Sequence, residues 1–168
     1  MGLFDLLKKS PNQESTSDLI KKLEDKIPKY VKENHDLVSL CNVWVHFKPD
    51  SVGDEEIKFR FPEHNFTAII WADVSTEFNS AINNLEAKGK LFVIPISIDI
   101  YVLDCTVGMH LPILPHAWEE IDPNKQYFFP HALTTNASIA ENILKQPRQT
   151  TFTRVFPGGK IQNNYNIW

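Results

Sequence analysis

The chain has 168 residues, 42% hydrophobic and 23% charged, an ordinary globular composition long enough to bury a core. Its net charge of −4 argues against nucleic acid, whose binding rests on clustered Lys and Arg. No apolar run approaches the ~18 residues of a membrane-spanning helix, and Lys8, Lys9 and Pro11 cut the apolar start short of a signal peptide, so the expected compartment is the cytoplasm.

On a helical wheel Leu3, Phe4, Leu6 and Leu7 share one side of the first ten residues, and Asp5, Lys8 and Lys9 share the other. Residues 1–10 therefore read as a short amphipathic helix, 11–17 as a polar linker, and 18–168 as one globular domain. A helix should start near Ser15 to Ser17, with Ser15 and Asp18 as a capping pattern and Leu19, Ile20, Leu23, Ile27, Tyr30 and Val31 at helical spacing. Pro28 predicts a kink, or a second helix beginning there.

The β-branched and aromatic run DLVSLCNVWVHF predicts a strand. IKFRF alternates with Ile57, Phe59 and Phe61 inward, and FTAIIWA is a third strand, so these three predict an antiparallel meander. Ser75 or Thr76 caps the next helix, whose inner face is Phe78, Ala81, Ile82 and Leu85, and Gly89 closes it. LFVIPISIDIYVLD predicts a long strand with Phe92, Ile94, Ile96, Ile98, Ile100 and Val102 on its core face, Pro95 marking an edge or a bulge.

From Cys105 to Leu133 the pattern is irregular, a length of loop that is often functional. A last helix is expected over 136–145, and TTFTRVF, Pro157-Gly158-Gly159 and IQNNYNIW predict a closing hairpin. The fold class is then α+β: one mostly antiparallel or mixed sheet of about five to seven strands, packed by three helices, plus the short N-terminal helix. Cys41 and Cys105 lie far apart in apolar, strand-like surroundings and read as reduced, buried residues.

The irregular stretch holds most of the reactive side chains. His110, His116, Glu119 and His131 supply imidazole and carboxylate, the donors of a catalytic zinc, and His116 and Glu119 stand three apart as on one helical turn. That set defines the rival reading, a zinc-dependent hydrolase. There is no paired-cysteine metal motif, no Gly-x-Ser-x-Gly and no glycine-rich phosphate loop.

The opening GLFDLLKK is similar to the start of amphibian membrane-active peptides of the aurein and citropin type, which implies affinity for a membrane interface. It also resembles the openings of small bacterial cytosolic proteins, toxin-immunity proteins among them. Leu3, Phe4, Leu6 and Leu7 are the candidate interaction residues, as a lid on the domain or a partner, with membrane contact at most transient. A third reading is a peripheral membrane-associated protein that uses residues 2–9. Every acidic side chain precedes residue 142, while Lys145, Arg148, Arg154 and Lys160 follow it, a tail that could face an acidic partner. The leading expectation is a non-enzymatic cytosolic module, without a cofactor, that binds another protein, an immunity role being one version.

Overall fold

The computed structural model of the chain describes residues 15–98, 101, 110–115, 118–144, 149–156 and 159–166, the last two segments by their backbone pairing. Helix α1 (Thr16–Glu33) is one continuous helix that runs through Pro28. Ser15 caps it, its hydroxyl accepting from the Asp18 N–H at 3.2 Å, and Leu23, Ile27 and Val31 form its fully buried stripe. After α1 two non-glycine residues, His35 and Asp36, take left-handed φ of 66° and 57°. The turn is held by Asp36, whose Oδ1 accepts from both the N–H and the hydroxyl of Thr135, each at 2.7 Å.

The expected strand over DLVSLCNVWVHF forms only as the two-residue β1 (Val38–Ser39), and the chain then turns into helix α2 (Leu40–His46). Ser39 starts that helix by accepting from the Asn42 N–H at 3.1 Å. Leu40, Cys41, Val43 and Trp44 are its buried face, so burial at helical spacing overrides the β preference of Val and Trp. With α2 there are four α-helices among the described residues, one more than expected.

Strands β2 (Val52–Phe61) and β3 (Phe66–Val74) make the antiparallel hairpin that the alternation predicts, with Ile57, Phe59 and Phe61 buried. Gly53 lies against the backbone of the next element: a Cβ there would come within 2.6 Å of Ser75 Cα. Ser75 caps α3 (Thr76–Ala87) by accepting from the Phe78 N–H at 3.1 Å, and Gly89 follows the helix at φ 63°. Helix α3 buries Phe78, Ala81, Ile82 and Leu85 and packs beside α1. Across that seam Glu24 accepts from Asn84 Nδ2 at 2.7 Å and from Lys88 Nζ at 2.6 Å.

Strand β4 is shorter than the run that predicts it. It spans Phe92–Pro95, and a helical bond from the Tyr101 N–H to the Ser97 carbonyl follows soon after. Proline supplies no ladder donor, so the strand ends there, and β4 is an edge strand as Pro95 suggests. Strand β5 (His131–Thr134) lies between β1 and β4, antiparallel to both. Helix α4 (Ala137–Leu144) follows, Asn136 Oδ1 accepting from the Ser138 N–H at 2.9 Å. Strands β6 (Gln149–Phe156) and β7 (Gly159–Asn166) form the closing hairpin.

The protein is α+β with antiparallel strands, but these divide into two sheets, ordered β1-β5-β4 and β3-β2-β6-β7, where one was expected. Residues 127–129 stitch the two together. The Ile69 N–H donates to Tyr127 O at 2.9 Å and the Phe129 N–H to Ile69 O at 2.8 Å, and the same chain enters β5 two residues later.

Candidate binding surface

Of the expected zinc donors, His110, Glu119 and His131 lie among the described residues. His131 is fully buried in β5, its ring 4.4 Å from that of Phe59 and 4.6 Å from that of Phe129. Its Nδ1 is 2.8 Å from the Phe129 carbonyl, which can only accept, so Nδ1 carries the proton. His110 and Glu119 are exposed, and His116 lies outside the described residues. Among the described residues no group of three or more His, Cys, Asp and Glu is placed to hold a metal ion. Leu3, Phe4, Leu6 and Leu7 also lie outside them. The described residues contain no helix long and apolar enough to cross a membrane.

Cys41 corrects the sequence reading. It is fully buried in α2 and disulfide-bonded, not reduced. The other cysteine of the chain is Cys105, outside the described residues.

A cleft of about 330 Å³ opens on the β2–β3 hairpin, beneath the loop that carries residues 123–126. Lys58, Thr67, Asn65, Asn124, Lys125 and Gln126 give it a polar lining. The loop is set by Asp122, whose Oδ1 accepts from the Asn124 N–H at 3.0 Å, the turn-forming habit of Asp before Pro and Asn. That backbone N–H, with Lys125 beyond it, holds the Asp122 carboxyl below its ordinary range. Both ammonium groups already have carboxylate neighbours, Lys58 with Glu56 at 2.5 Å and Lys125 with Asp122 at 3.7 Å. The cleft is therefore polar and close to charge-balanced. Its two walls are some sixty positions apart in sequence, and only the Asp-Pro-Asn turn signal of the second wall is visible there.

The more open feature is an edge. Strand β7 pairs with β6 in an unbroken register from Gln149↔Asn166 to Phe156↔Gly159, and among the described residues no strand lies on its other side. The two residues flanking a two-residue hairpin connection form a hydrogen-bonded pair. Alternation from Phe156↔Gly159 then directs the N–H and C=O of Lys160, Gln162, Asn164 and Asn166 outward. Proteins usually blunt such edges with proline, bulges or several charges. Strand β7 has no proline, no bulge and one charge, Lys160.

No protein-family model matches the chain, and neither do the curated proteins or the solved structures.

Proposed function

We propose that the chain is a non-enzymatic protein-binding module that takes an extended segment of its partner as an added strand on β7. The carrying observation is the regular outer edge of β7, eight residues long, beside which no strand lies among the described residues. Main-chain hydrogen bonds along such an edge give affinity without any reactive side chain. An immunity-type role, in which the captured strand belongs to a toxin, is one form of this reading. Cytoplasmic residence sits poorly with the Cys41 disulfide, because structural disulfides persist in oxidising compartments, so the binding partner is sought there.

The test is display selection of random peptides on the full chain, followed by competition. Asn164→Pro removes one outward donor and leaves the β6 pairing intact. Selected peptides should lose binding to Asn164→Pro, keep it to Lys125→Ala, and slow amide exchange along 159–166. Peptides that bind Asn164→Pro as well as the parent, with both chains folded by circular dichroism, would overturn the reading.

A further inference from the structure

We infer that the segment added to β7 is acidic, a proposal that rests on the strand-addition reading. All 21 acidic side chains of the chain precede residue 142, while four of its 17 basic ones follow. The hairpin that presents the edge therefore carries Arg154 and Lys160 and no carboxylate.

The register places these two cations on the sheet. Lys160 stands opposite Val155, which stands opposite Lys58 on β2, and Arg154 stands opposite Phe59. Lys58 is two strands in from the edge, about 10 Å by ladder spacing. At that distance, near the Debye length, the Lys58–Glu56 pair is close to neutral, so the basic character of the edge rests on Arg154 and Lys160. Strand β2 also carries Asp54, Glu55 and Glu56, of which Glu56 is paired with Lys58, and all three precede the residues that pair with β6.

A second copy of the chain is disfavoured as the occupant. In a full-length antiparallel pairing with its own twin, Lys160 falls opposite Asn166, so neither cation gains a carboxylate partner. An extended segment with Asp or Glu at alternate positions meets the same backbone edge and neutralises Lys160.

The experiment uses the full chain and three labelled eight-residue peptides that alternate Thr with Glu, Gln or Lys, read by fluorescence anisotropy at low and high salt. The Glu peptide should bind about tenfold tighter than the Gln peptide at low salt, and the Lys peptide not measurably. Raising the salt should erase most of that difference. Lys160→Glu should remove the preference for Glu, while Asn164→Pro should weaken the Glu and Gln peptides alike. Equal binding of Glu and Gln peptides, both lost in Asn164→Pro, would leave strand addition standing and overturn the acidic selectivity. No binding of the Glu peptide overturns the proposal, with strand addition still decided by the display selection. Sedimentation showing that the chain dimerises, and that Asn164→Pro makes it monomeric, assigns the edge to a second copy and overturns the proposal too.

Discussion

Asp36 does two jobs that different substitutions separate. Its carboxylate accepts two hydrogen bonds from Thr135, and its backbone sits at φ 57°, where a Cβ is strained. A hydrogen bond to a charged acceptor contributes ~1.5–3 kcal/mol. Asp36 is half-buried, so the low end applies and losing both bonds costs about 3 kcal/mol. Asp36→Ala loses both bonds and keeps the strain. Asp36→Gly loses both bonds but recovers ~1–2 kcal/mol of left-handed strain, less ~0.4–1 for the looser unfolded chain. Glycine, ordinarily the worse residue, should here be more stable than alanine by roughly 0.5–1 kcal/mol. Asp36→Asn keeps an acceptor and tolerates the conformation, so the expected order of stability is Asp, Asn, Gly, Ala. Urea unfolding followed by the fluorescence of buried Trp44 and Trp71 measures it. An alanine variant equal to the parent, or above the glycine variant, refutes the reasoning.

Other outcomes follow from single contacts. Gly53→Ala should cost ~1–3 kcal/mol, because its Cβ would meet the backbone of Val74 and of the α3 cap Ser75, and an unchanged melting temperature contradicts that. Burial acts to raise the Glu24 carboxyl, but bonds from Lys88 and Asn84 outweigh it and leave the group below its ordinary value. A lowered folded-state pKa gives stability present above the unfolded value, about 4.3, and lost as pH falls through the folded one. Glu24→Gln should therefore be less stable than the parent at neutral pH and approach it in acid, and a gap that does not change with pH removes the argument. Reducing the Cys41 disulfide should lower stability by about 2–4 kcal/mol, read as a drop in urea midpoint with dithiothreitol, and no drop means the bond contributes little.

Local patterns carried much of the fold. Ser15 and Ser75 cap the helices that their positions suggest, and the alternation of Ile57, Phe59 and Phe61 marks a strand whose core face is buried. The failures share a cause. Val43, Trp44 and Val45 favour strands as residue types, but the core covers Leu40, Cys41, Val43 and Trp44 at helical spacing, and only the assembled core reveals that. The apolar run after Leu91 predicts a long strand because periodicity cannot show where a ladder partner ends, and β5 supplies four partners. Two sheets in place of one follow from pairings between distant segments. The closing hairpin was legible as a hairpin. That its second strand lies at an edge, which matters for binding, depends on what stands beside it and is written nowhere in β7 itself.

The place of β5 in the middle of its sheet bears on how the chain is made. Among the described residues strands β1 and β4 pair only with β5, so neither has a ladder partner there until His131–Thr134 leaves the ribosome. The α1–α3 seam and the β2–β3 pairing lie within residues 16–88 and can form first, although β2 later gains β6 and Ile69 later bonds to residues 127–129. Translation at ~5–20 residues per second then leaves Val93, Ile94 and their neighbours uncovered for a few seconds. During that interval the nascent chain exposes apolar surface of the kind that aggregates, and slow codons between 96 and 130 would lengthen it. Ribosome-bound chains arrested before β5 emerges should yield to protease where those arrested after it resist, and equal digestion of the two would show that this sheet does not govern the order of assembly.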